Sequence, residues 1–390
     1  MRSRRSARIR ARRNFWRRER ALSCEKQRAR HLGVKGRRTP HFVRPALSLA
    51  LSRRRERGPD LGSRARQRCG IAVGMPTTTS IVPYAGWARN LRIANAEAEM
   101  IVTLDVGPRV MRYGAPGGPN LFGEATDQLG KSGEPNWMPR GGHRLWTAPE
   151  DKTRTYAPDN RAVEHTVLSS DAKGVSVRFT QLPDEPYGIQ KELDITLDAA
   201  GSRAKLVHRI TNIGEMPLRL APWALTVMPP GGTAIVPLPA KRPHPGSLPS
   251  SVDADYWPNQ NLAIWSYTDL KDSRLALGTH FITARQDPKA TTLLKFGLAH
   301  EAGWLGYWRE GELFVKTVGY ERGQLYPDRG CNFELYADPN ILEVETLGPL
   351  VMLSPGEHTE HVETWNRFAG VGAIGDEAAI AKNVQPLASR

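Results

Sequence analysis

The chain predicts an all-β protein built as one large antiparallel β-sandwich. Three observations lead there. From Trp87 onward, short runs of alternating apolar and polar residues follow one another, which is strand period. Gly, Pro, Asn and Asp punctuate the runs as turn residues do. A helical period is missing until Glu377 to Lys382, so no helices alternate with the strands and a parallel α/β sheet is excluded. The runs number about twice the strands of an immunoglobulin-type sandwich, which suits one large sandwich with twisted sheets.

In chain order the expected strands cover residues 91–94, 100–105, 109–113, 163–168, 175–181, 189–197, 204–211 and 218–228. They continue at 262–267, 274–278, 280–284, 292–296, 304–309 and 313–318. The cleanest are Lys191 to Leu197 and Lys205 to Ile210, apolar on one face and polar on the other. The stretch from Asn332 to Trp365 reads strand, loop, strand, tight turn, strand. There Leu342, Val344 and Thr346 alternate with Glu343, Glu345 and Leu347, Pro349 interrupts, and Pro355-Gly356 marks the turn. Two long loop-rich regions, 114–158 and 229–261, separate the strands. Their Trp137, Trp146, Tyr156, Tyr256 and Trp257 argue against disorder and for function.

Charge divides the chain. Residues 1–74 hold 22 Arg and 2 Lys against 4 acidic residues, a net +20, while the whole chain carries +15. The remainder is therefore mildly acidic. The first segment has too few large apolar residues for a core and is expected to be disordered. It reads as a basic arm for nucleic acid, as a targeting peptide, or as upstream sequence before a true start at Met75, and the last is favoured. Arg12-Arg13 lacks the apolar stretch that a twin-arginine signal needs. The expected organisation is a basic segment at 1–74, a sandwich at 75–370 and a short tail at 371–390.

Three cysteines, Cys24, Cys69 and Cys331, support no disulfide framework. No apolar run is long enough for a transmembrane helix. A cytoplasmic protein with no membrane contact is expected, touching nucleic acid only through the basic segment. HExxH and His-x-His patterns are missing, and His358 and His361, three apart on a strand, face opposite sides. No metal is therefore expected. No dinucleotide fingerprint, P-loop or G-x-S-x-G elbow occurs, so no cofactor is expected either.

Glu345 is the candidate for chemistry. A carboxylate inside an apolar strand run is costly to bury unless it is paired or used. It reads as a solvated strand residue, a structural ion pair, or a base held in a cleft. Gly141-Gly142-His143-Arg144-Leu145-Trp146 is the second candidate, read as a sugar-binding loop. Paired glycines admit a ligand to the backbone, His143 can shuttle a proton, Arg144 offers a planar fork of donors, and Trp146 offers a flat face for a sugar ring. The carboxyl pairs Glu343/Glu345 and Glu150/Asp151 keep glycoside processing open.

The run Leu342-Glu343-Val344-Glu345-Thr346, followed by Pro349, resembles the segment of aldose 1-epimerases (galactose mutarotase family) that carries the catalytic glutamate. More closely, the run from Phe314 to Trp365 resembles the uncharacterised DUF4380 branch of that superfamily. The shared pieces are Lys316 with Gly319-Tyr320, Tyr326-Pro327-Asp328, Asn332-Phe333-Glu334, Leu342 to Pro349, Pro355-Gly356-Glu357 and Glu363-Thr364-Trp365. The resemblance spans about residues 88–367 and implies a galactose mutarotase-like supersandwich that binds a small carbohydrate. It implies Glu345 as base and His143 as a sugar contact, beside Arg144, Trp146, Trp223, Lys316 and Tyr326. Where the family carries its acid histidine on a central strand, this chain has Trp223. His143, His280, Lys316 and Tyr326 are the candidates to replace it. A non-catalytic sugar-binding domain remains an alternative.

Overall fold

The computed structural model describes residues 76–241, 244 and 256–389. The expected basic segment at 1–74 lies outside them, as does part of the 229–261 loop. Among the described residues the strands are β1 (Thr78–Tyr84), β2 (Trp87–Ala94), β3 (Glu99–Thr103), β4 (Arg109–Gly114), β5 (His143–Ala148), β6 (Val163–Asp171) and β7 (Gly174–Gln181). Then come β8 (Ile189–Asp198), β9 (Ala204–Asn212), β10 (Leu218–Met228), β11 (Thr233–Pro237), β12 (Ala263–Ile264), β13 (Leu275–Leu277) and β14 (Phe281–Arg285). The last are β15 (Leu294–Leu298), β16 (Trp304–Arg309), β17 (Glu312–Val318), β18 (Phe333–Ala337), β19 (Leu342–Leu347), β20 (Val351–Leu353) and β21 (His358–Phe368).

They form two antiparallel sheets, as the alternation predicts. One has 11 strands, ordered β1-β2-β3-β4-β5-β10-β19-β18-β15-β12, with β20 also paired to β10. The other has 10, ordered β13-β14-β11-β16-β17-β21-β9-β8-β7-β6. In β8 every second residue, Ile189 to Leu197, is buried, and these side chains face the opposite sheet. The shared core joins Leu193, Ile195 and Leu206 of one sheet to Met100, Val102, Phe296 and Leu335 of the other. Pro222 falls inside β10, where it can donate no ladder hydrogen bond. It sits where the partner changes, Leu220 pairing with β20 and Trp223 with β19.

Three expectations need correction. Residues 143–148 are not a loop but β5, wholly buried between β4 and β10. The strand is covered on both faces, so polar residues in it hide the period-2 signal. β11 escapes the sequence reading for a related reason: Ala234 and Val236 enter the shared core while Ile235 faces the other way into a second apolar cluster. The expected strand at 262–267 shrinks to Ala263–Ile264.

The tail at 371–390 is docked. Helices Glu377–Asn383 and Gln385–Ala388 lay Ile380, Val384 and Ala388 on Ile235, Phe281, Leu313 and Val315, covering the outer face of the ten-stranded sheet. Asp376 caps the first helix through the amide of Ala379 at 2.8 Å. The Glu377 carboxylate accepts from the amides of His280 and Phe281 at 2.8 and 2.9 Å, tying the helix to β14. Among the described residues no helix is long and apolar enough to cross a membrane.

Candidate active site

Strand alternation decides which nominated residues meet. Arg144 and Trp146 point to the outer face of the eleven-stranded sheet, and His143 points inward. Directly paired positions share a face, so Arg144, Leu225, Glu345 and Glu334 form one row across β5, β10, β19 and β18. The next row holds Glu343, Tyr336 and Lys295. Over these rows lies a pocket of about 390 Å³. Its floor is Arg144, Trp146, Trp223, Lys295, Glu343 and Glu345, and its rim includes Trp137, Glu150, Tyr156, Tyr267, Tyr336 and Asp338.

The floor is a web of paired charges. Arg144 Nη1 donates to Glu343 Oε1 at 2.7 Å, with its guanidinium 4.3 Å from the Trp146 ring centre and 5.1 Å from that of Trp137. Trp223 Nε1 donates to Glu345 Oε2 at 2.9 Å. Lys295 Nζ lies 2.9 Å from Glu334 Oε2 and 3.5 Å from Glu345 Oε2, between the rings of Trp223 and Trp265 at 4.5 and 4.7 Å. Trp146 also packs on Trp137, Tyr156 and Trp223, with centroids 4.9, 5.1 and 5.4 Å apart.

Three carboxyls, Glu343 and Glu345 of the floor and the buried Glu334 beside them, share two cations, so charge balance favours one carboxyl keeping its proton. Burial pushes Glu345 up to about 7; Lys295 opposes the rise and Glu343 adds to it. Burial also holds Glu334 well above the carboxylate range against the pull of Lys295. For Lys295 burial acts to lower the pKa, yet Glu345 and Glu334 outweigh it and keep the ammonium charged. Glu345 is thus a carboxyl able to gain or lose a proton near neutral pH, at the base of an aromatic pocket. That is the requirement for general acid–base work.

His143 and Lys316 are not in this pocket. Both are fully buried between the sheets, on the opposite face from Glu345. His143 Nδ1 lies 2.8 Å from Thr226 Oγ1, and its Nε2 lies 2.7 Å from His208 Nε2. His208 Nδ1 lies 3.0 Å from the carbonyl of His361, so it must be the donor there. His208 Nε2 then accepts from His143, and His143 Nδ1 accepts from Thr226. Burial lowers both imidazole pKa values, keeping the rings neutral. Lys316 Nζ pairs with Glu363 Oε1 at 3.0 Å, Trp365 Nε1 donates to Glu363 Oε2 at 2.8 Å, and the Thr346 hydroxyl donates to the same carboxylate.

His143, His208 and Glu363 bring three donor atoms within 4.8 Å of one another, a grouping that could hold a metal ion. These atoms already bond one another and their neighbours, one ring nitrogen to the other and the carboxylate to Lys316, Thr346 and Trp365, so an ion would have to displace the His143–His208 hydrogen bond. His143 and Lys316, expected as sugar contacts, are fully buried and do not line the pocket. Tyr326 lies outside the pocket, stacked on Tyr320 at 5.0 Å and accepting from the amide of Glu321 at 2.8 Å. His280, the remaining candidate acid, does not line the pocket either.

Lys295, Glu334, Tyr267 and Tyr336 escape the sequence reading. A signal is present for two of them. Lys295 within Leu293-Leu294-Lys295-Phe296, and Glu334 within Phe333-Glu334-Leu335, are charges inside apolar strand runs, as Glu345 is.

Fold and site together define an all-β antiparallel sandwich with an aromatic, carboxyl-floored pocket on its larger sheet. No family model matches the chain, and no curated protein matches it. Among solved structures it is similar to a TPR-domain containing protein from Parabacteroides distasonis at 15% identity, covering 73% of this chain and 48% of that one, TM-score 0.48. The chain thus spans about half that protein's length. It is similar to a galactose mutarotase-like protein from Lactobacillus casei at 10% identity, covering 72% and 100% of the two chains, TM-score 0.44. It is also similar to a galactose mutarotase related enzyme from Lactobacillus acidophilus at 10% identity, covering 72% and 98%, TM-score 0.41.

Proposed function

We propose that this protein binds a small carbohydrate in the outer-face pocket, and that Glu345 acts there as the base of an aldose 1-epimerase-like reaction at the anomeric carbon. One observation carries the reading. Glu345, Arg144, Trp146 and Trp223, each nominated from sequence, converge on a single pocket whose volume suits a small molecule. Aromatic faces there can pack on the C–H side of a sugar, and the charged floor can bind its hydroxyls.

In the reaction Glu345 takes the proton of the anomeric hydroxyl. The C1–ring-oxygen bond breaks, its electrons go to the ring oxygen, and that oxygen gains a proton. C1 then turns, the hydroxyl that was the ring oxygen attacks the carbonyl from its other face and gives its proton back to the donor, and the proton on Glu345 returns to the anomeric oxygen. The donor to the ring oxygen would be a water or a hydroxyl of the pocket, where Tyr156, Tyr267 and Tyr336 are available. Burial pushes Tyr267 up to about 12, so it would hold its proton until the ring oxygen becomes strongly basic.

A second reading, binding without turnover, is favoured by the two partners already on Glu345 Oε2, Trp223 and Lys295. Polarimetry on a panel of aldoses, with binding followed through the pocket tryptophans, separates the two. Glu345→Gln should lower any epimerase rate about 10²- to 10⁴-fold while sugar binding persists. Binding with no turnover on any aldose selects the second reading, and no binding to any sugar rejects both.

A further inference from the structure

Among the described residues, Lys295 is the one cation that touches both Glu345 of the floor and Glu334 buried beside it. Its ammonium lies 2.9 Å from Glu334 and 3.5 Å from Glu345, on neighbouring strands β18 and β19 at directly paired positions. The rings of Trp223 and Trp265 flank it at 4.5 and 4.7 Å, and it is 4% exposed, so it has little freedom to swing away. We infer that Lys295 is a positioning residue: held between two indoles and shared by Glu345 and Glu334, it governs when Glu345 can take or release a proton.

The groups facing Glu345 from each packed element are Lys295 on β15, Glu334 on β18, Glu343 on its own strand, Arg144 on β5 and Trp223 on β10, with Tyr267 across the pocket and Lys316 of β17 on the inner side, where it is paired with Glu363. Arg144 is committed to Glu343 at 2.7 Å, which leaves Lys295 as the nearest cation to Glu345. A buried carboxyl without such a cation holds its proton to higher pH, so less of it is available as a base near neutrality. With the lysine locked on both carboxyls, Glu345 ionises close to neutrality. Lys295 thereby does for the base what the Trp223 position cannot do, since an indole N–H donates a hydrogen bond but carries no charge.

The inference rests on the carbohydrate reading for its chemical purpose, and its test needs neither sugar nor turnover. The folded protein carrying ¹³C-carboxyl glutamate is titrated by NMR, and the Glu345 resonance is assigned by its loss in Glu345→Gln. Lys295→Met alone would leave Glu334 buried and unpaired, at a cost to folding, so the comparison is Glu334→Gln against Lys295→Met/Glu334→Gln. These differ only in the lysine. The Glu345 midpoint is expected about one pH unit or more higher without the lysine, and Lys295→Arg should restore much of the difference. Coincident midpoints in the two backgrounds overturn the inference, as does a wild-type Glu345 that titrates in the ordinary carboxylate range. If the midpoint moves but no sugar binds, the lysine's role stands and the carbohydrate reading alone is lost.

Discussion

Replacing Glu345 by Gln should change how stability depends on pH. The carboxyl is 1% exposed, and burial raises it from 4.5 to about 7. A raised carboxyl pKa means the folded state holds the proton more tightly than the unfolded chain. Its contribution is therefore fully present below about pH 4.5 and falls as pH rises through about 7. The difference of roughly 2.5 in pKa amounts to about 3 kcal/mol lost between about pH 4 and about pH 8. Gln has no such ionisation, and it keeps a side-chain oxygen for Trp223 Nε1. Urea unfolding of both proteins from about pH 4 to about pH 8.5 should show wild type losing about 3 kcal/mol relative to Glu345→Gln, mostly between about pH 5 and 8. Parallel curves would refute the argument, and a difference growing toward acid would reverse its sign.

Other outcomes follow from the interior and the pocket rim. Lys316→Met leaves Glu363 buried without its cation and should cost about 3–5 kcal/mol, read by urea denaturation. Much of the loss should return in Lys316→Met/Glu363→Gln. Ile380→Ala opens a hole where the C-terminal helix meets β14 and β17 and should cost about 2–4 kcal/mol, measured the same way. Trp146→Ala removes the aromatic floor beside Arg144 and should weaken sugar binding about 30-fold or more, measured by calorimetry, with little change in affinity counting against the pocket.

Periodicity exposes most of the fold because most strands bury one face. Lys191 to Leu197 and Lys205 to Ile210 correspond to β8 and β9 in alternation as well as position. β5 and β11 are obscured because each is covered on both faces, and continuous burial removes the alternation that marks a strand. The same misreading misassigns the site. Treated as a loop, Gly141 to Trp146 offers His143 and Arg144 to one ligand. As a strand it must send them to opposite faces, and only Arg144 and Trp146 reach the pocket. Glu345 is legible as a charge within an apolar run. Lys295 and Glu334 carry that signal too, but their pairing depends on strands β15, β18 and β19 lying side by side, which spacing along the chain does not reveal.

The inward chain from Thr226 through His143 and His208 to the His361 carbonyl has a consequence for how the sheets find one another. Apolar contact is non-directional, so two greasy faces can slide by one pleat with modest penalty. Hydrogen bonds tolerate no such sliding. A slip of two residues along β9 would set Leu206 or Ile210 opposite His143 and strand its ring nitrogen, at about 1–3 kcal/mol for each group left unpaired. The polar chain acts as the key of a lock and, with the Thr346 hydroxyl on Glu363, gives an apolar interface one alignment. The pocket on the far side of β5, β10 and β19 inherits that alignment, since His143 and Thr226 pin β5, which presents Arg144 outward, and β10, the ladder neighbour of the strand that presents Glu345.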